Sequence, residues 1–122
     1  MLLVKCEARP SAIHGLGLFA AEDIRAGTAV ASWTEGVDYR LTVDEFKALP
    51  SELKKFLWIY VWTWIDGNIY GTADEGRFTN RSSDPNMRWD DETRTSHALY
   101  DIAAGDELTE DYDEFDHSRE MP

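Results

Sequence analysis

Cysteine is almost missing from this chain: Cys6 stands alone in 122 residues. No intramolecular disulfide can form, and no cysteine cluster can hold zinc. That usage points to a reducing cytoplasm. Basic charge is scarce as well. Twelve Lys and Arg face 24 Asp and Glu, a formal net charge of −12. Such a surface repels phosphate backbones, so nucleic acid is excluded as an expected partner. Long apolar runs are lacking. Met1-Leu2-Leu3-Val4 is followed at once by Lys5, Glu7 and Arg9, so no secretory leader is expected. No stretch approaches the roughly 20 residues that cross a bilayer, so no membrane partner is expected. His14 and His97 stand at no metal-ligand spacing, and no metal is assigned.

Aromatic side chains are abundant, with five Trp, five Tyr and five Phe. They supply the bulk for one core, and the whole of 1–122 reads as one domain. Leu2 to Ala8, Leu18 to Ala20 and Thr28 to Trp33 read as strands. Thr42 followed by Glu45 forms a capping box ahead of Val43, Phe46 and Leu49 at helical spacing. Pro50 stops that helix and Ser51 opens a second short one. Trp58 to Ile65, Asp66-Gly67-Asn68 and Ile69 to Thr72 read as a β-hairpin. His97 to Ile102 and Leu108 to Tyr112 read as the last strands. The expected class is mainly β with short helices.

Three segments carry candidate chemistry. Ile13-His14-Gly15-Leu16-Gly17-Leu18-Phe19-Ala20 places two glycines one residue apart, which lets backbone bend sharply and approach a ligand. It lacks the third glycine of a dinucleotide fingerprint. Arg77-Phe78-Thr79-Asn80-Arg81-Ser82-Ser83-Asp84-Pro85-Asn86 is polar, with Phe78 to anchor it and Asn80 to donate and accept. Ala104-Gly105-Asp106-Glu107-Leu108-Thr109-Glu110-Asp111-Tyr112 ends on a phenol able to point into a cleft. Each segment alone also fits a plain turn, a surface loop or a packed tyrosine.

In this order the three resemble the SET-domain family of S-adenosylmethionine-dependent protein lysine methyltransferases. The family pattern is Gly-x-Gly, then Arg-Phe-x-Asn-His-Ser-x-x-Pro-Asn, then Gly-Glu-Glu-Leu-Thr-x-Asp-Tyr. The resemblance runs over 3–112 and is greatest to short stand-alone bacterial members, leaving 113–122 as a closing tail. It implies a β-clip-like fold of small sheets with a C-terminal pseudoknot that brings Asn80 near Tyr112. It implies S-adenosyl-L-methionine held by His14, Gly15, Leu16 and Gly17, by Thr79 and Asn80, and by the backbone of Arg81. Phe115 would cover the adenine. Tyr112 would be the catalytic residue, with the Thr79 carbonyl beside it. Trp33, Thr34 and Trp62 would line a lysine channel, with Trp58 and Trp64 as further wall candidates.

The substrate expected is a basic protein or peptide. Seven of the eleven residues from Asp106 to Asp116 are acidic and would form a negative rim for it. A calcium loop would need an Asp-x-Asp-x-Asp-Gly order that is missing. With no flanking domains, a homodimer would complete the substrate groove. Arg81 stands where the family carries His, and Ser83 where Cys is frequent. The alternative function is therefore a SET-like module, weak or inactive in catalysis, that binds cofactor or a basic peptide.

Overall fold

The computed structural model describes residues 1–118 and 120–122. The expected closing tail includes Arg119, which lies outside the described residues. Among the described residues, ten short strands make three small sheets, accompanied by two short α-helices. In the first, β1 (Cys6–Pro10) pairs antiparallel with β2 (Leu16–Ala20). The second sheet is built on β3 (Ala29–Ser32), and the third begins with β4 (Tyr39–Leu41).

Helix α1 (Val43–Lys47) starts as its capping box dictates. The Thr42 hydroxyl accepts from Glu45 N–H at 3.1 Å, and the Glu45 carboxylate accepts from Thr42 N–H at 2.8 Å. Such a cap contributes about 1 kcal/mol to so short a helix. Helix α2 (Ser51–Trp58) follows Pro50, which sits at its N-cap. The predicted strand over Trp58 to Ile65 is thus shortened: Trp58 ends α2, and only β5 (Trp62–Thr63) is extended. It turns through Asp66-Gly67-Asn68 into β6 (Ile69–Gly71), which pairs with both β5 and β4. Phe46 and Ile69 are fully buried where α1 meets this sheet.

A 3-10 turn at Glu75–Phe78 leads into β7 (Asn80–Arg81). Strand β8 (Met87–Asp90) then pairs antiparallel with β9 (Thr95–Ala98), and β9 with β3. The predicted strand from His97 to Ile102 is displaced toward the N-terminus, and Ile102 makes only an isolated bridge with Ile24. Strand β10 (Glu107–Glu110) lies between two earlier strands. It is antiparallel to β2 and parallel to β7, with Thr109 opposite Asn80 and Glu110 opposite Arg81. This is the C-terminal tuck expected of the fold. Leu108 is fully buried and packs with Leu18, Val30, Met87 and Ala98 into the main core. Burying each large apolar side chain of that set is worth ~1.5–3 kcal/mol. Among the described residues no helix is long and apolar enough to cross a membrane.

Candidate active site

The tuck of β10 places the three motif segments side by side. A second 3-10 turn, Tyr112–Glu114, begins just after β10 because the Asp111 carboxylate caps Asp113 N–H at 3.1 Å. That turn swings Tyr112 back toward β7, where its hydroxyl donates to the carbonyl of Thr79. Two residues 33 positions apart are joined directly. Tyr112 is half-buried. Burial first, and the neighbouring Glu110 second, push its phenol above the usual range, so it stays protonated and donates.

Asn80 holds the glycine loop to the same strand pair. Its amide nitrogen shares its two N–H groups among the carbonyls of His14 (3.1 Å) and Leu16 (3.2 Å) and Glu107 Oε2 (2.9 Å). Glu107 is fixed in turn by the Ser11 hydroxyl at 2.7 and 2.9 Å. Asn86 completes the bracing: it donates to the Glu107 carbonyl at 2.8 Å and accepts from Thr109 N–H at 2.9 Å. Gly15 adopts φ +45°, the left-handed conformation that favours glycine. Gly17 serves a different need. A Cβ there would stand 2.6 Å from Glu107 Oε2, so only glycine leaves room for that carboxylate.

Two spaces meet at the Tyr112–Thr79 contact. One is an open cleft of about 550 Å³, edged by His14, Gly15, Leu16, Asn80 and Arg81 and walled by Trp58, Tyr60 and Phe78. The other is an inner cavity of about 80 Å³ walled by Trp33, Tyr60, Trp62, Trp89 and Phe115. Tyr60, Thr79 and Tyr112 line both. The cleft lies within the roughly 300–1,000 Å³ typical of small-molecule sites. Its rim carries the amide of Asn80 beside the glycine loop, while aromatic side chains stand among aliphatic and polar ones in the inner cavity.

Not every expected residue reaches the space assigned to it. Gly17 is buried in β2 and does not edge the cleft. Phe115 lies in the inner cavity, 5.2 Å from the Tyr112 ring centroid and 5.9 Å from that of Trp62, and does not line the cleft. Thr34 lines neither space. Its N–H donates to Asp38 at 2.7 Å and its hydroxyl pairs with Ser32 at 3.0 Å, so it fixes the turn after β3. Of the wall candidates, Trp33 and Trp62 line the cavity, Trp58 lines the cleft, and Trp64 packs against His117. Arg81 extends to solvent, where it pairs with Asp113 at 3.6 Å and lies 5.2 Å over the Tyr112 ring.

Sequence reasoning also passed over Trp89, Tyr60, Glu107 and Glu110. Glu110 was counted in the acidic rim, yet it is buried and lines the inner cavity. Glu107 is half-buried and committed to Ser11 and Asn80, so the rim is smaller than the composition suggests. Only the alternation of β10 carried a signal: Leu108 and Glu110 share one face of the strand, and Leu108 is core.

The SET domain family matches residues 15–113 of the chain. Among solved structures the chain is similar to ctPRC2 in an autoinhibited conformation bound to S-adenosylmethionine. That pair shares 26% identity over 94% of this chain, with a TM-score of 0.69. It is similar to an active polycomb repressive complex 2 in the basal state, at 26% identity over 89% of this chain and a TM-score of 0.68. It is similar also to the Chaetomium thermophilum polycomb repressive complex 2, at 25% identity over 89% and a TM-score of 0.65. The chain spans only 15 to 16% of the length of those chains. No curated protein matches it. The family match covers most of the sequence, and the tuck of β10 joins the segments that carry it: the chain belongs to the SET-domain family.

Proposed function

We propose that this chain transfers a methyl group from S-adenosylmethionine to a lysine side chain of a basic protein. The observation that carries the reading is the Tyr112 hydroxyl on the Thr79 carbonyl, at the junction of the open cleft and the aromatic cavity. A transfer between two separately bound reactants needs such a junction, and holding both in line removes much of the orientational cost.

The cleft fits the cofactor in size and in chemistry. The carbonyls of His14 and Leu16 each keep a lone pair beyond the one Asn80 uses. They can receive an ammonium end there, and the walls of Trp58 and Phe78 suit a flat ring. When bound, the cofactor supplies a methyl group on a positively charged sulfur. The protein does the rest by placement. The inner cavity would take the lysine side chain and bring its amine to the Tyr112–Thr79 contact, where it reacts once its proton is lost. The Tyr112 hydroxyl and the Thr79 carbonyl offer polar contacts where the amine would meet the methyl group. Exposed acids at Asp106, Asp113 and Glu114 favour approach by a basic segment.

The test is calorimetry with S-adenosylhomocysteine, followed by radiolabelled methyl transfer to a panel of basic proteins. We expect binding, and label on lysine. Ligand at one hundred times its dissociation constant should add ~2.7 kcal/mol of stability. Absence of heat and of any melting shift at millimolar ligand overturns the cofactor reading. Binding without transfer to any protein favours the alternative of a binding module.

A further inference from the structure

Glu110 is a buried carboxylate without a cation. It is 7% exposed and lines the inner cavity beside Tyr112 and Phe115. No ion pair reaches it among the described residues. The cations that line the cavity or sit on neighbouring strands are committed elsewhere: the Met1 ammonium pairs with Asp38 at 2.9 Å, and Arg81, opposite Glu110 on β7, pairs with Asp113 at 3.6 Å. Arg88 on β8 pairs with Glu114 at 3.4 Å. Arg77 lines the cavity, but its guanidinium donates to the Asp74 carbonyl at 3.1 Å and lies 4.4 Å over the Phe78 ring. What Glu110 has is the Ser96 hydroxyl, which favours its ionised form, while Glu114 opposes it. Burial outweighs both and pushes the carboxyl up to about 7. A carboxylate in low dielectric is costly unless paired. The resemblance does not explain it either, for position 110 falls on the unspecified place in the last motif.

The surroundings say what would pair with it. Trp33, Trp62 and Trp89 wall the same cavity, and aromatic faces attract an alkylammonium. The space is small, about 80 Å³. We propose that Glu110 makes the inner cavity a receptor for a primary alkylammonium group, as the residue that recognises the cationic end of the substrate side chain. An ammonium with N–H groups can donate to the carboxylate, whereas a trimethylated one cannot and is bulkier. The site therefore selects an unmethylated lysine over a fully methylated product. This rests on the methyl-transfer reading for its substrate, but not for its test.

The experiment is binding of n-butylammonium to the whole chain, followed by tryptophan fluorescence and by thermal shift, with n-butanol and n-butyltrimethylammonium as controls. Glu110→Gln keeps the shape of the side chain, and its own melting curve reports whether it folds; Glu110→Asp is a second variant that keeps the charge. We expect n-butylammonium to perturb the wild-type fluorescence at least tenfold more tightly than either control. We expect Glu110→Gln to lose that preference and Glu110→Asp to retain part of it. Equal affinity for n-butylammonium and n-butanol overturns the proposal. So does unchanged n-butylammonium binding in Glu110→Gln, or no wild-type response at all. S-adenosylhomocysteine titrated in parallel reports separately on the cofactor cleft. Cofactor binding with no ammonium preference defeats the Glu110 proposal alone, and the converse defeats the cofactor reading alone.

Discussion

The open cleft and the inner cavity share one wall but are made of different material. The cleft is edged by backbone, by His14, Gly15 and Leu16 and by the amide of Asn80. The cavity is lined by residues from many parts of the chain, among them Trp33, Trp62 and Trp89 and the buried acid Glu110. A backbone edge needs small or locally bonding residues at fixed spacing, and such spacing is visible in a linear sequence. A side-chain cavity needs only that bulky groups converge in space, and convergence leaves no local mark. Changes to the cavity should therefore act through burial and charge, while changes to the cleft should act through loop geometry.

The largest expected effect is in the cavity and concerns pH. Burial pushes the Glu110 carboxyl up to about 7 in the fold, from an ordinary value of 4.5. The folded state thus holds a proton that the unfolded state has released across that window. Stability from this group is complete below the lower value and is lost as pH rises through the upper one. The loss should be on the order of 3 kcal/mol. Urea unfolding of the wild type at pH 5 and pH 8 should show it, and Glu110→Gln should be nearly flat between them and more stable at pH 8. A wild type as stable at pH 8 as at pH 5 would show that the carboxylate is satisfied by some group other than Ser96.

Next comes the cleft. Asn80→Ala removes the donor shared by two loop carbonyls and Glu107. Leaving a half-buried carboxylate short of a donor costs about 1–3 kcal/mol. The freed loop should weaken S-adenosylhomocysteine binding about tenfold, read by calorimetry. Unchanged affinity would mean that the glycine loop holds its shape without Asn80.

How far the fold could be read from the chain follows the same division. The capping box at Thr42 and Glu45, the Gly67 turn and the β10 motif are local, and the structure places them as the residues indicate. Strand β8 went unseen because its hairpin to β9 turns without glycine. Arg94 takes the left-handed φ of 53° there, a conformation seldom given to arginine. Helix α2 reached Trp58 because an aromatic, β-branched run looks extended until packing decides, and Trp58 packs on Phe46 with ring centroids 5.7 Å apart. In the site, Thr79, Asn80 and Tyr112 were legible as a motif. Phe115 was placed over the cleft on chemistry alone, and contact with Trp62, Trp89 and Tyr112 draws it inward instead. The burial of Glu110 was hidden by its six acidic neighbours in the same segment.

Tyr112 belongs to both spaces, so its substitution separates them. Tyr112→Phe keeps the ring against Phe115 and loses only the hydroxyl on Thr79. Cofactor affinity should hold, while single-turnover methylation at saturating cofactor falls at least tenfold, ~1.4 kcal/mol of barrier. Turnover equal to wild type would reduce Tyr112 to a packing residue.

The smallest effect is expected at Arg81, where the cleft meets solvent. Its ion pair with Asp113 is well exposed on both sides, and such pairs contribute ~0–1 kcal/mol. Its guanidinium over the Tyr112 ring adds ~0.5–1 kcal/mol at an exposed site. What position 81 gives the cleft is mainly backbone, held in register by β10 through the pairing with Glu110, and that survives a change of side chain. Arg81→His should thus shift stability by about 1 kcal/mol or less, and methyl transfer by less than about threefold, since the guanidinium lies over the Tyr112 ring and not on the hydroxyl that bonds Thr79. Thermal unfolding and single-turnover methylation check the two halves. A tenfold or greater rise in transfer on Arg81→His would show instead that the guanidinium restrains the Tyr112 ring. The natural chain would then be a binding module whose catalysis is suppressed by one residue.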